Sequence, residues 1–268
     1  MKRYPEPPEG LRLDLDGPVL RIRLNRPERR NAITDDMVLA LVDTIDAAGN
    51  DDTVRVIALS GEGDHFCSGF DLGERDTASR PRAGSTQRRM RWHVNRLIPA
   101  MLEVQTPIVT AATGWIAGLG LNILLASDFA LAADDARLWS PFTAAGFTPD
   151  SAGSWLLPRL AGMARAKEMI MLGRPISGTQ AAAWGLIHRS APRTDVATVA
   201  DDLIAELGRA ATVALGLSKL LIHRSLTTNL DAHLVDEALA LELTSRTDDF
   251  KEARLARRER RPPEFRGR

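Results

Sequence analysis

The sequence predicts an α/β fold in which a core of alternating strands and helices is followed by a helical region. Two observations lead to this prediction. Up to about residue 148, short apolar runs typical of buried strands alternate with segments of helical periodicity. From Pro149 almost to the C-terminus the pattern is helical. We therefore predict a core domain over residues 1–195 and a C-terminal helical region over residues 196–268.

The first elements are a strand pair and a helix. Alternating apolar residues over 11–24 predict two short strands, and an Asp-Gly-Pro sequence at 16–18 supplies the turn between them. Thr34 opens a helix that runs to about Ala48, because two aspartates in its first turn complement the helix dipole.

The rest of the core alternates between buried strands and helices. Strands are predicted at 54–60, at 107–114 and, as two short pieces, within 128–140. A helix is predicted from about Gln87 to Glu103, and a glycine-led buried helix over 116–127. The later helices are predicted near 153–171, 179–184, 196–208, 212–224, 231–245 and 248–260.

The polar segment 75–90 carries five arginines and little periodicity, so it is predicted to be mobile or irregular. A second arginine-rich run, 254–261, is typical of a solvated helix face.

The composition is that of an ordinary globular protein with enough apolar residues for a sizeable core, at 44% apolar and 26% charged. Lys plus Arg and Asp plus Glu both number 35, so the net charge gives no reason to expect nucleic acid or a membrane surface as a partner. The most apolar stretch, 115–133, is interrupted by polar residues, and a membrane span is not predicted. A single cysteine excludes an internal disulfide, and the start lacks the apolar segment of a secretory signal, so a cytoplasmic location is expected.

Two loops carry glycines where a backbone can approach a ligand closely. Residues 65–72 follow a buried strand, and N–H groups in such a turn can bind a carbonyl oxygen as it becomes negative. The alternative is an ordinary turn capped by Asp71. Gly118 and Gly120 begin an apolar helix, whose first N–H groups favour an anion. The alternative there is close helix packing, which needs no ligand.

Asp150 is the one acid between Asp135 and Glu168, in a turn that precedes a helix. Three interpretations are open: a helix N-cap, a solvated turn residue, or a buried acid in a pocket.

The five histidines have no metal-ligand spacing, so no metal site is predicted. Cys67 is interpreted as a packed residue, because nothing nearby indicates an activated thiolate.

Six stretches together resemble the crotonase family, also called the enoyl-CoA hydratase/isomerase family. They occur in the family's order and cover most of the chain: LNRPERRNAI (24–33), ALSGEGDHFCSGFDL (58–72), PIVTAATGWIAGLGLNILLASDFALAA (107–133), GFTPDSAGSWLLPRLAGMARAKEMIMLG (146–173), ISGTQAAAWGLI (176–187) and RRPPEFRG (260–267). The resemblance implies a spiral of ββα units followed by a C-terminal helical trimerisation region, and hence a homotrimer or a dimer of trimers. It also implies an acyl-CoA substrate that brings its own CoA, with no separate cofactor.

The resemblance assigns the site residues by motif position. Two backbone N–H groups, of Phe70 and Leu119, are implied to form an oxyanion hole for the thioester oxygen. The residues implied to contact CoA or the acyl group are Ala32, Ser68, Gly69, Asp71, Leu72, Gly118 and Phe142.

The departures from the family pattern point to the reaction. Typical hydratases carry two glutamates where this sequence has Asn122 and Phe142. Asp150 stands where isomerase-like members and aromatic-CoA dehalogenases of the family carry an aspartate. A lone carboxylate suits a 1,3-proton shift, since it can take a proton from one carbon and return it to another. His93 falls about two residues out of register with the histidine that assists the dehalogenase aspartate, so its side chain is expected to point elsewhere.

The leading hypothesis is therefore an acyl-CoA isomerase or hydratase-like enzyme with Asp150 as acid and base. One alternative is a non-catalytic acyl-CoA-binding protein, motivated by the loss of both hydratase acids. Another is a hydrolase or dehalogenase in which Asp150 attacks as a nucleophile. Four aromatic residues suit a broad or aromatic acyl pocket, although packing explains each of them equally well: Trp115, Phe142, Phe147 and Trp155.

Overall fold

The computed structural model describes residues 4–71, 73 and 82–268. The strands are β1 (Leu11–Asp16), β2 (Val19–Leu24), β3 (Val56–Gly61), β4 (Ile108–Ala112), β5 (Trp115–Ala117), β6 (Phe129–Ala133), β7 (Arg137–Trp139), β8 (Ile176–Ser177) and β9 (Arg189–Ala191). The helices are α1 (Asp35–Gly49), α2 (Ser85–Trp92), α3 (Leu97–Glu103), α4 (Leu119–Ala126), α5 (Gly153–Met171), α6 (Gly178–Ala183), α7 (Val196–Gly208), α8 (Thr212–Ser225), α9 (Leu230–Thr244) and α10 (Asp248–Glu259).

Two sheets organise the core. The larger has six strands in the order β1-β2-β3-β4-β6-β9. Its first pair is antiparallel and is joined by the predicted turn, in which Gly17 has φ +56°. Its other pairs are parallel, so each needs a crossover through a helix or a loop. The smaller sheet has the order β5-β7-β8.

Helices cover both faces of the larger sheet. On one face, α1, α3 and α4 contribute to a large apolar core that includes Met37, Leu97 and Leu121. On the other face, α7 packs on β3, β4 and β6 and buries Ile204 and Leu207 against Val109. The strands of this sheet are covered on both sides, which explains why β3 and β4 read as continuous apolar runs in the sequence.

Most predicted elements are confirmed, but the helix predicted from Gln87 to Glu103 is two helices. The backbone at His93 leaves the helical region, with φ −123° and ψ −84°, and α3 begins only at Leu97. Residues 94–96 form one 3₁₀ turn that leads directly into α3. Pro99 lies in the first turn of α3, where its missing N–H is tolerated.

Three short strands differ from the prediction. Residues 115–117 form β5 instead of the start of a helix, and the wholly helical pattern predicted after Pro149 is interrupted by β8 and β9. β8 has two residues and β9 three, so neither is long enough to show a period. Pairing with β7 and β6 stabilises them as strands.

A buried ion pair joins the C-terminal helices to the core. The Lys219 ammonium of α8 donates to the Met101 carbonyl at 2.8 Å and to the Asp128 carboxylate at 2.8 Å. Asp128 also accepts the Ile108 N–H at 2.8 Å, so it connects α8 to the start of β4. Burial lowers the pKa of Lys219, and the nearby Asp128 charge opposes that shift.

We expect Lys219→Ala to lower the free energy of unfolding by about 3–5 kcal/mol, because it leaves the covered Asp128 carboxylate without its ammonium partner. Urea unfolding followed by circular dichroism measures this loss. Lys251→Ala is the matched control: it removes another lysine–aspartate pair, with Asp248, whose side chains are 69% and 66% exposed. The control variant should unfold at the wild-type urea concentration. An equal loss in both variants would contradict the prediction.

Helices α8 and α9, together with the turn between them, expose several large apolar side chains. Among them are Ile222, Leu226, Leu230, Leu234, Val235, Leu239, Leu241 and Leu243, each at least half exposed. Such a patch is typical of a protein interface. Within the described ranges, we find no helix whose length and apolar character suffice for a membrane crossing.

Candidate active site

A cleft of about 480 Å³ lies where four parts of the core meet. These parts are the loop after β3, helix α2 with the turn behind it, the start of α4, and the segment 141–151. The lining residues are Ser68, Gly69, Phe70, Thr86, Arg89, Met90, Val94, Gly118, Leu119, Pro141, Phe142, Phe147, Thr148, Asp150 and Ser151. Six of the predicted substrate-contacting or oxyanion-hole residues, together with Asp150, therefore meet at one cleft.

A short bridge to Ile33 orients the Phe70 amide. The Ile33 N–H donates to the Gly69 carbonyl at 2.9 Å, and the Asp71 N–H donates to the Ile33 carbonyl at 2.9 Å. Because these flanking groups face Ile33, the N–H of Phe70 itself points to the opposite side of the chain. Gly69 has φ +106°, and a Cβ there would lie 3.1 Å from the Ala117 carbonyl oxygen. This position therefore requires glycine.

The Leu119 amide lies on the adjoining loop. Leu119 is the first residue of α4, where helix geometry offers its N–H no intrahelical acceptor. Gly118, with φ +53°, makes the turn into the helix. A Cβ on Gly69 would lie 3.6 Å from the Leu119 nitrogen, so the two loops are in contact and both amides belong to one wall of the cleft.

Cys67 and Gly120 hold these two loops together. The Cys67 N–H donates to the Trp115 carbonyl at 3.1 Å, and the Ala117 N–H donates to the Cys67 carbonyl at 2.9 Å. A Cβ on Gly120 would lie only 2.5 Å from the Cys67 Cβ, so Gly120 serves close packing, the alternative interpretation of this glycine. Burial raises the pKa of Cys67 to about 12, and its interpretation as a packed residue is confirmed.

Asp150 lies half-buried in a strained turn before α5. Its Oδ1 accepts the Ser151 hydroxyl at 2.9 Å. Ser151 and Ala152 both have left-handed backbones, with φ +48° and +66°, which costs on the order of 1–3 kcal/mol for each non-glycine residue. The N-cap of α5 is Ala152, whose side chain makes no capping hydrogen bond. The interpretation of Asp150 as an N-cap is therefore wrong.

The two positions that hold glutamate in typical hydratases carry no acid in the cleft. Asn122 is buried, and its side-chain amide donates to the Asp150 carbonyl at 3.1 Å. Phe142 is buried and meets Phe147 edge to face, with 5.6 Å between ring centroids. Among the described residues that line the cleft, Asp150 supplies the one carboxylate.

The sequence pattern does not predict that α2 forms one wall of the cleft. Thr86, Arg89 and Met90 have i, i+3, i+4 spacing, which places them on one face of this short helix. The Arg89 guanidinium donates to both Asp35 carboxylate oxygens and lies 4.7 Å from the Phe70 ring centroid. The i, i+3, i+4 spacing of these three residues can be seen in the sequence. Because most of the neighbouring residues are polar, it does not stand out as one face of a helix. Of the segment predicted to be mobile or irregular, residues 75–81 lie outside the described residues.

The residues predicted to contact the CoA part divide into two groups. Ser68 and Gly69 line the cleft, whereas Ala32 and Asp71 do not and are joined through Arg26 instead. Arg26 Nη1 donates to the Ala32 carbonyl and to the Asp71 carboxylate, each at 2.8 Å. The N–H of Gly73 and the Arg26 guanidinium lower the pKa of Asp71. Leu72 lies outside the described residues.

Asp71→Asn is expected to destabilise the protein by about 1 kcal/mol at pH 7, since it weakens a charged hydrogen bond. The native pKa of Asp71 is lowered. Its contribution is therefore present above the unfolded value of about 3.9 and is lost as the pH falls through the native value. Urea unfolding at pH 7 and near pH 2 should show the difference shrinking in acid. Asp14→Asn, on an exposed part of β1, should show no difference at either pH.

The side chains of His93, Trp115 and Trp155 do not line the cleft. For His93 this agrees with the prediction from its position in the sequence. His93 lines a separate groove with Asp35 and Trp92. Trp115 packs against Trp139, with 5.7 Å between ring centroids, and Trp155 lies under the Arg159 guanidinium at 4.0 Å. Phe142 and Phe147 are the two proposed pocket aromatics that do line the cleft.

No set of three His, Cys, Asp or Glu side chains suited to a metal ion was found in the part of the chain that the structure describes.

Comparison with known proteins gives the same family at the level of sequence and of fold. The enoyl-CoA hydratase/isomerase family model matches residues 15–268. A 1,2-epoxyphenylacetyl-CoA isomerase from Escherichia coli K12 is 35% identical over 252 residues, covering 93% of this chain and 95% of the relative. A trans-2-decenoyl-[acyl-carrier-protein] isomerase from Streptococcus mutans is 30% identical, covering 95% and 97%.

The crystal structure of an enoyl-CoA hydratase from Bacillus anthracis superposes with a TM-score of 0.90 at 28% identity, covering 97% of this chain and 100% of that one. The architecture is thus the crotonase fold predicted from the sequence. Its relatives include both isomerases and hydratases, and the protein is an enzyme of that kind. The chain belongs to the enoyl-CoA hydratase/isomerase family.

Proposed function

We propose that the enzyme moves a double bond within an acyl-CoA thioester, with Asp150 as the acid and base and the Phe70 and Leu119 amides as the oxyanion hole. One observation carries the proposal. Asp150 is the one carboxylate among the described residues of a cleft that also includes both amide loops, while Asn122 and Phe142 occupy the hydratase acid positions. Water addition ordinarily uses two acids in this family, whereas a 1,3-proton shift needs one.

The proposed mechanism returns the same proton that it removes. The Asp150 carboxylate takes a proton from C2 of a 3-enoyl thioester, and the electron pair moves to the thioester oxygen. Backbone N–H groups aimed at that oxygen stabilise its developing charge, since they need no reorganisation in a site that excludes water. The electrons then return, the double bond forms between C2 and C3, and protonated Asp150 delivers its proton to C4.

The acyl group in this proposal is large and apolar, with an aromatic ring as the leading candidate. Met90, Val94, Phe142 and Phe147 give the cleft an apolar wall. The relative at 35% identity is named for a phenylacetyl-derived CoA ester, which supports a ring-bearing substrate. CoA arrives with the substrate, so no separate cofactor is proposed. Ala32, Asp71 and Leu72 stay proposed contacts of the CoA part.

The test is to incubate the wild-type enzyme with 2-enoyl- and 3-enoyl-CoA esters, including ring-bearing ones, and to separate the products by chromatography against both positional isomers before mass spectrometry. Migration of the double bond changes the retention time at constant mass, whereas hydration adds the mass of one water molecule. Double-bond migration as the main reaction supports the proposal. Water addition without migration would contradict the proposal. A covalent acyl-enzyme adduct would instead favour Asp150 as a nucleophile.

We also propose that the exposed apolar face of α8 and α9 is buried in a homotrimer or a dimer of trimers. Side chains such as Leu230 and Leu241 are 70% and 66% exposed in the single chain, which is unfavourable for a surface left in water. Sedimentation equilibrium should give three or six times the chain mass of 29.3 kDa. A monomer at micromolar concentration would rule this assembly out.

The lone cysteine supports a cytoplasmic location, and the balanced charge favours no nucleic-acid partner.

A further inference from the structure

We propose that Asn122 is a positioning residue for Asp150, acting through the backbone of the turn that carries it. The inference rests on the proposed role of Asp150 as acid and base. It assigns a function to the position where typical hydratases hold a catalytic glutamate.

The Asn122 side-chain amide contacts the turn and the first residue of α5. Its Nδ2 donates to the Asp150 carbonyl at 3.1 Å, and that carbonyl also accepts the Gly153 N–H at 3.0 Å. A Cβ added to Gly153 would lie 2.9 Å from the Asn122 Oδ1 and 3.1 Å from its Nδ2. Asn122 is itself 1% exposed on the buried helix α4. The amide therefore has a fixed place, and a longer side chain would push against the start of α5.

The turn needs such a restraint. Ser151 and Ala152 are both left-handed, and the side chain of Ala152, the N-cap of α5, makes no capping hydrogen bond. The outer part of the segment, including Phe147, is exposed. A hydrogen bond from the rigid core to the Asp150 carbonyl fixes the residue whose carboxylate must face the acyl group.

The chemistry of the donor explains why this position holds an amide. A carboxylate accepts hydrogen bonds and cannot donate to the Asp150 carbonyl, whereas the asparagine amide has two donor hydrogens. Asn122 stands where typical hydratases have a glutamate. It therefore also supplies a hydrogen bond that holds Asp150, the carboxylate of the cleft.

Asn122→Ala is expected to lower kcat by about 10- to 100-fold with KM changed less than about threefold, since misplacing a catalytic group by roughly 1 Å has effects of this size. Ser127→Ala is the matched control on the other end of α4. It removes a hydroxyl that donates to the Ile123 carbonyl at 3.0 Å and pairs with the Thr110 hydroxyl at 2.6 Å, and it should leave kcat at the wild-type value.

The double variant Asn122→Ala/Gly153→Ala separates positioning from packing. The added Cβ enters the space vacated by the amide, so it restores contact but not the hydrogen bond. We expect thermal stability to recover towards wild type while kcat stays low. Recovery of kcat in the double variant would overturn the inference, because Asn122 would then only fill space.

Asp150→Asn, assayed beside these variants, distinguishes the two levels of the proposal. Loss of activity in Asp150→Asn together with wild-type kcat in Asn122→Ala overturns the positioning role and leaves the proposed function standing. Retained activity in Asp150→Asn overturns the proposed function itself, and the positioning role with it.

Discussion

Asp150→Asn is expected to lower kcat for double-bond migration by about two to four orders of magnitude, the usual loss when a general acid–base group is removed. Asparagine has nearly the shape of aspartate and can still accept the Ser151 hydroxyl, which reaches Oδ1 at 2.9 Å in the native turn. It cannot take up a proton at neutral pH. The substitution therefore removes the proton transfer while it preserves the turn.

Steady-state kinetics on the best 3-enoyl-CoA substrate measures this loss, and isothermal titration calorimetry with a saturated acyl-CoA checks that binding stays within a few-fold of wild type. Asp64→Asn changes another carboxylate, on an exposed part of the loop after β3, and should behave as wild type. Wild-type turnover in Asp150→Asn would remove Asp150 from the mechanism.

A proline at position 119 is expected to abolish one donor of the oxyanion hole. Leu119 is the first residue of α4, and proline is well tolerated at this position because the N–H there makes no intrahelical bond. Removing one such donor lowers kcat by about 10²- to 10³-fold in enzymes that stabilise an oxyanion. The loss should appear in kcat more than in KM, because the charge develops only in the transition state.

Leu119→Ala is the reference for this experiment. Leu119 is 2% exposed, so both variants lose the packing of a buried side chain, but only proline loses the amide hydrogen. Comparing the two at equal folded fraction isolates the N–H group. Equal kcat values in Leu119→Pro and Leu119→Ala would show that this amide does not bind the thioester oxygen.

The parts of the site that can be predicted from the sequence are those whose signals are local. Gly69 in the loop after a buried strand and Gly118 at a helix start are compatible with close approach to a ligand and also with an ordinary turn and close packing, and the family resemblance favours the first interpretation. Their positive φ angles confirm the turns. Asp150 stands out as a lone acid in a long stretch, although the sequence does not separate a capping role from a place in a pocket.

The remaining parts of the site depend on contacts distant in sequence. The hydrogen bond from Asn122 to Asp150 spans 28 positions. The ion pair of Arg89 with Asp35 spans 54 and positions α2 against the cleft. Periodicity within a window cannot register either contact. The N-cap interpretation of Asp150 is wrong for a local reason: the left-handed residues Ser151 and Ala152 precede α5, so its N-cap lies at Ala152, two positions past Asp150.

The burial of Cys67 between the two amide loops gives the protein an internal reporter of loop opening. It is the single cysteine of the chain, and its thiol can react only when the loop of Phe70 separates from β5 and α4. The rate of modification by a thiol reagent therefore measures the frequency of that opening, much as amide hydrogen exchange measures local unfolding. A thioester whose oxygen binds both amides should slow the modification, so ligand affinity can be read from cysteine protection without any turnover.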